Sequence, residues 1–142
     1  MTILKPRITK YKKSFRGRTK MRSKAGCLIE FGTYGLRAMD SGRINGKQIE
    51  SARIAISKII KRVGKLWIRI FPNIPITKKP IEVRMGRGKG EVYDWIFKVG
   101  VGRIIFELQG TTEAVARTAF RAASYKLGIN TSFVCKISDL TC

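Results

Sequence analysis

The sequence predicts an α+β domain, a mostly antiparallel sheet with two helices, preceded by a basic N-terminal arm. Three observations predict it. Residues 45–63 and 112–127 repeat apolar side chains at three- and four-residue steps, whereas 65–71, 92–97, 103–108 and 131–137 are short runs rich in β-branched and aromatic residues. These patterns do not alternate as βαβ units, which disfavours a parallel sheet. Residues 1–26 show no apolar periodicity at all. With 142 residues, 44% of them hydrophobic, the chain suits one domain with a real core, organised as an arm over 1–26 and a domain over 27–142.

Each element has a local reason. Residues 27–39 alternate weakly and read as two short strands around Gly32 and Gly35. Gly32-Thr33-Tyr34-Gly35 matches the GXXG string that clamps phosphates between two helices, but its strand-like flanks favour a hairpin turn. Asn45 can cap the first helix, with Gln48 completing a capping box. Ile49, Ala52, Ile56, Ile59, Ile60 and Val63 form its apolar face, and Gly64 ends it as a left-handed cap. In 65–71, Leu66, Ile68 and Ile70 share one strand face and Lys65, Trp67, Arg69 and Phe71 the other. Pro72, Pro75 and Pro80 impose extended backbone and turns over 72–80. Residues 81–90 begin as a strand and become a loop. The strands over 92–97 and 103–108 are joined through Gly100 and Gly102. Thr111 can cap a second helix whose Val115, Ala119, Phe120, Ala123 and Leu127 face the core, Gly128 ends it, and 131–137 is a last strand.

Charge points to a partner. Thirty basic residues face nine acidic ones, a formal net charge of +21. Residues 1–90 carry 24 of the basic and four of the acidic residues, so the excess is confined to the first part of the chain. Such a surface repels itself, and a polyanion relieves the repulsion while releasing its own counterions, which makes nucleic acid the natural partner. The arm holds Lys5, Arg7, Lys10, Lys12, Lys13, Arg16, Arg18, Lys20, Arg22 and Lys24 with no acidic residue, and Tyr11 and Phe15 can stack on bases. Lacking burial to hold one shape, the arm is expected to be disordered alone and ordered on RNA. Arg37, Arg43, Arg53 and Arg69 extend the RNA-binding set into the domain.

The loop Arg84, Met85, Gly86, Arg87, Gly88, Lys89, Gly90, approached through Lys78 and Lys79, combines forked donors with glycines that let backbone come close to a phosphate. It fits neither nucleotide-cradling motif: Glu91 stands where Gly-x-Gly-x-x-Gly needs its last glycine, and no Gly-Lys pair is followed by Ser or Thr.

Other function classes are disfavoured. The chain has no histidine, so the commonest general base and metal ligand is missing, and its carboxylates are scattered. Cys27, Cys135 and Cys142 have neither the even count of a disulfide framework nor C-x-x-C spacing. Idle thiols in a reducing compartment are expected, with no metal, no cofactor and no small-molecule substrate. No apolar run approaches the roughly 18 residues of a membrane span, and no signal-peptide segment follows the basic start. Arginine-rich, acid-poor starts also occur in organelle-targeting segments.

Three strings are more specific. G-K-L-W-I-R-I-F-P at 64–72, P-I-T-K-K-P-I-E-V-R-M-G-R-G-K-G at 75–90 and F-G-T-Y-G-L-R-A at 31–38 closely resemble the family of large-subunit ribosomal protein sixteen. The similarity runs from about Lys5 to Ile137. The resemblance implies an α/β-hammerhead-like fold and a non-catalytic role. Large-subunit rRNA and neighbouring large-subunit proteins would be its partners, with tRNA nearby at the aminoacyl site. It implies that the arm threads into rRNA and that Arg84 to Gly90 points toward the peptidyl-transferase region and the tRNA acceptor path. It further implies late entry into the subunit.

Two segments depart from the bacterial pattern: K-V-G-V-G-R at 98–103, and the tail Ser138–Cys142. Nineteen isoleucines and abundant lysine suggest an AT-rich genome, and the E-V-R-M-G-R-G-K-G string resembles mitochondrial members, which together favour an organelle-encoded protein. The mitochondrial matrix is therefore the expected compartment, with the bacterial cytoplasm or plastid stroma as alternatives. Because the similarity begins almost at Met1, little room is expected for a cleaved leader. The rival class is a free RNA-binding or RNA-chaperone protein outside any particle. It predicts a folded RNA-reading surface such as the paired aromatic pattern of RNA-recognition sheets, which the sequence lacks.

Overall fold

Sheet pairing in this chain is almost wholly long-range. A computed structural model describes residues 4–136. In chain order the elements are β1 (Tyr34–Ala38), β2 (Gly42–Asn45), α1 (Gly46–Ile60), β3 (Lys65–Ile68), β4 (Ile74–Lys78), β5 (Glu91–Val99), β6 (Ile104–Gln109), α2 (Glu113–Leu127) and β7 (Thr131–Cys135). Strands β3-β6-β1-β7 form one sheet and β2-β5-β4 a second, with every pairing antiparallel. The two helices pack side by side, and the core lies among them and the sheets.

Both helices follow the sequence reading closely. Gln48 Oε1 accepts from the Asn45 backbone N–H at 2.9 Å, the return half of the capping box. Ile49, Ala52, Ile56 and Ile60 are buried along α1, and Ala116, Ala119, Phe120, Ala123 and Leu127 along α2. Gly128 caps α2 in the left-handed region at φ 68°. Burying one such Ile or Phe contributes about 1.5–3 kcal/mol.

Several boundaries differ, each for a physical reason. Lys61, not Gly64, is the left-handed cap of α1 (φ 53°), so Val63 lies beyond the helix and is exposed. Thr112, not Thr111, stands at the N-cap of α2, and the buried face runs through Ala116, Ala119, Phe120 and Ala123, which leaves Val115 on the outer side. Gly35 is no turn residue: it sits within β1, opposite Glu107 and Val134, so 27–39 yields one strand and not two. Gly32 makes a close approach instead, since a Cβ there would meet Leu108 O at 2.7 Å. Residues 74–78 form β4 despite Pro75, which an edge strand tolerates because no partner needs its missing N–H. Strand β2 is a four-residue element that no pattern in the sequence marks. Residues 81–84 form no strand, and 69–71 continue beyond β3 only through the Arg69 N–H to Ile105 O bond of 2.9 Å. Strands β5 and β6 are not a hairpin: residues 100–103 carry the chain from one sheet to the other. The expected sheet end at Ile137 and the tail Ser138–Cys142 lie outside the described residues.

Candidate nucleic-acid interface

The arm does not float free of the domain. Its root is paired with the crossover between sheets, where Ser23 N–H donates to Val101 O at 2.9 Å and Val101 N–H to Met21 O at 3.1 Å. Two arginines brace it from below: Arg43 Nη2 donates to Gly17 O at 2.9 Å and Arg103 Nη1 to Ala25 O at 2.7 Å. Leu4, at the far end, packs against the core. The ten basic arm residues are all exposed, as are Tyr11 and Phe15. Chain contacts thus orient the arm while its charges face solvent.

The glycine-arginine loop meets this arm. Lys13 Nζ donates to Lys89 O at 2.9 Å, and Lys89 Nζ donates to Ser14 O at 2.6 Å while lying 5.2 Å from the Phe15 ring centroid. Lys79 Nζ reaches back to Gly86 O across the loop. Gly86, Arg87 and Gly88 all adopt positive φ (99°, 50° and 85°), a run that only glycine favours. Nothing of the described protein lies within 4 Å of a Cβ built at Gly86 or Gly88, so both glycines face open space. Arg84, Met85, Arg87 and Lys89 are exposed, and Lys78 sits 5.4 Å from the Tyr93 ring. Gly90, by contrast, is packed against Lys78 O. Arm and loop therefore present one continuous cationic edge with aromatic rings set into it.

The remaining arginines divide. Arg37 is half-buried within β1. Arg53 forms a two-point pair with Glu50 (2.7 and 2.9 Å), and this hydrogen bonding holds the Glu50 carboxyl below its usual range and raises Arg53. Arg69 departs most from the expected RNA-contact set. Its guanidinium pairs with Glu107 and with Glu30 at 2.9 Å, and lies 4.8 Å from the Phe31 ring. Its side chain is only 12% exposed, because segment 27–33 covers the strand face that carries Trp67 and Arg69. Phe31 stacks on Trp67 there, with ring centroids 6.1 Å apart.

Two positioning residues went unseen in the sequence, Glu107 and Arg103. A lone carboxylate within the apolar run of β6 was the available signal for Glu107. Among the described residues, no group of three or more His, Cys, Asp or Glu could hold a metal ion, and no helix is long and apolar enough to cross a membrane. Cys27 and Cys135 are free thiols.

The chain is 53% identical over 135 residues to a large ribosomal subunit protein uL16 of Buchnera aphidicola, covering 95% of this chain and 98% of that one. It is 51% identical over 132 residues to the uL16 of Thioalkalivibrio sulfidiphilus (93% and 96% covered) and 48% identical over 137 residues to that of Allorhizobium ampelinum (96% and 100%). The family model described as ribosomal protein L16p/L10e matches residues 6–134, from the exposed arm into β7, and the chain belongs to that family.

Proposed function

We propose that this chain is a non-catalytic structural constituent of the large ribosomal subunit. It binds large-subunit rRNA and orders the region around the aminoacyl-tRNA site. One observation carries the reading: the arm and the Arg84–Gly90 loop, far apart in sequence, interlock through Lys13, Ser14 and Lys89 into a single exposed cationic edge. Such an edge suits phosphate contacts from two directions. The names of relatives spanning nearly the whole chain support the same particle. In this role the arm holds rRNA, while the loop approaches tRNA and positions it without taking part in peptide transfer. Neighbouring large-subunit proteins are the further partners.

The compartment proposed is the mitochondrial matrix, on the isoleucine-rich composition and the 82–90 string. The bacterial sources of the relatives support a bacterial cytoplasm as the second reading. Subcellular fractionation of the source cell separates the two. Sucrose-gradient sedimentation in high salt tests the main reading. The chain is expected to travel with the large subunit, and a predominantly free pool would favour an RNA chaperone acting outside the particle.

A further inference from the structure

Where the first stretch of the arm meets the domain lies a groove of about 700 Å³, within the roughly 300–1,000 Å³ of small-ligand sites. Its floor is aromatic and apolar, made by Phe71, Val92 and Trp95, and its wall is the first stretch of the arm, with Lys5, Arg7 and Lys12. The floor depends on an irregularity in β5. The pairing with β4 shifts register between Ile76 and Thr77, so that Ile76 opposes Asp94, Thr77 opposes Val92, and Tyr93 is left over. That extra residue re-phases the strand, so Val92 and Trp95, three positions apart, line one groove. The wall is held independently, since Leu4 packs on the core and its carbonyl lies 2.9 Å from where a Cβ on Gly46 would stand.

We propose that this groove receives a single unpaired RNA nucleotide, its base stacked on Trp95 and Phe71 and its phosphates held by Lys5, Arg7 and Lys12. The charge complementarity is one-sided, because among the described residues every charged group lining the groove is a cation. An aromatic floor under a cationic wall is what a base and its phosphate require together, whereas a duplex keeps its base faces stacked inside and offers none to an aromatic floor. Phe71 is 46% exposed, an apolar area that an aromatic ring of the ligand would cover. The site deepens the proposed rRNA-binding role and rests on it for the source of the nucleotide.

The two tryptophans make the test direct, because Trp67 lies under Phe31 and away from the groove. The full chain carrying Trp67→Phe reports on Trp95 alone. Its emission is expected to be quenched saturably by a single-stranded oligoribonucleotide, and to change little with a blunt RNA duplex or with inorganic polyphosphate. Trp95→Leu should weaken single-strand binding by roughly 5- to 150-fold, the equivalent of one stacked base, while Trp95→Phe retains most of it. Equal quenching by polyphosphate, or Trp95→Leu binding as tightly as the parent, overturns the site. Large-subunit rRNA that binds the chain in a filter assay without altering Trp95 emission overturns it while the ribosomal role stands. Absence of rRNA binding removes both.

Discussion

Glu107 and Arg69, 38 residues apart in sequence, are ion-paired beneath the segment that leads out of the basic arm. The Glu107 carboxylate is fully buried and also accepts the backbone N–H groups of Phe31 at 2.7 Å and Gly32 at 3.0 Å. One side chain thus satisfies an arginine beside β3 and the backbone of a segment with no ladder of its own. Removing Arg69 leaves that buried charge without its cation. Arg69→Ala should therefore destabilise the isolated protein by about 3–5 kcal/mol. Glu107→Leu should cost about 1–3 kcal/mol for each backbone N–H left unpaired, besides freeing the arginine. Urea unfolding measures both, and a near-neutral Arg69→Ala would reassign Arg69 to the RNA-facing set.

Scaffold and contact surface should separate cleanly in thermal melts. Phe120→Ala empties a site only 1% exposed, tilted against Phe133 at 6.0 Å, and should cost about 3–5 kcal/mol. Lys61→Ala should change stability little, while Lys61→Gly should raise it by up to about 1 kcal/mol by relieving the left-handed cap. A destabilised Lys61→Gly would contradict the cap.

Deleting the whole arm would also remove Leu4, which packs on the core, so charge substitution is the cleaner probe. Lys10, Arg16, Arg18 and Lys20 changed together to Gln should leave the melt unchanged. The slope of log affinity for rRNA against log salt should shrink by about 0.9 for each duplex phosphate that these side chains no longer neutralise. An unaltered slope would show that these four residues meet no phosphate.

In the loop, Arg84→Ala with Arg87→Ala should leave the fold intact yet impair subunit assembly or weaken aminoacyl-tRNA binding on reconstituted particles. Gly88→Val should do comparable harm without a change of charge. It meets no described atom within 4 Å, so the damage arises from its φ of 85° and from bulk toward the RNA. Normal tRNA binding and peptide formation by fully assembled double-mutant particles would make the loop a plain surface turn.

Glu50 gives a pH signature. Its carboxyl is held below the usual value chiefly by the hydrogen bond from Arg53. The stabilisation is thus present above the unfolded-state value and is lost as pH falls through the lower folded-state value. Glu50→Gln should remove this acid-side dependence, read as a flatter melting temperature below about pH 4.3. The same slope in both proteins would mean that the pair adds nothing measurable.

The helices were legible because their information is local: Asn45, Gln48 and Gly128 mark ends, and Ile49 to Ile60 mark a face. The sheets were less so because their information is distant. Pro75 reads as a breaker until β4 is known to be an edge, and four residues at 42–45 carry too little pattern to announce a strand. The Ile81–Arg84 run has strand composition but finds no partner. Among candidate site residues, the arm's cations are exposed as their charge density suggested, whereas Arg69 looked like its neighbours until Glu107 stood beside it. The carboxylate within the apolar run of β6 marks Glu107 as unusual, but pairing across 38 residues leaves nothing near Arg69 in the chain to name its partner.

The place of β1 sets a timetable for synthesis. This strand is held between β6 and β7, with Ala38 opposite Thr131 and Tyr34 opposite Leu108 and Cys135. A growing chain cannot close its larger sheet until β7 has left the exit tunnel. The ten cations of the arm emerge before any strand of that sheet, a polycation ahead of an unfinished domain. For that interval its solubility rests on whatever anions are at hand, and pairings so far apart in sequence make folding slow once synthesis ends.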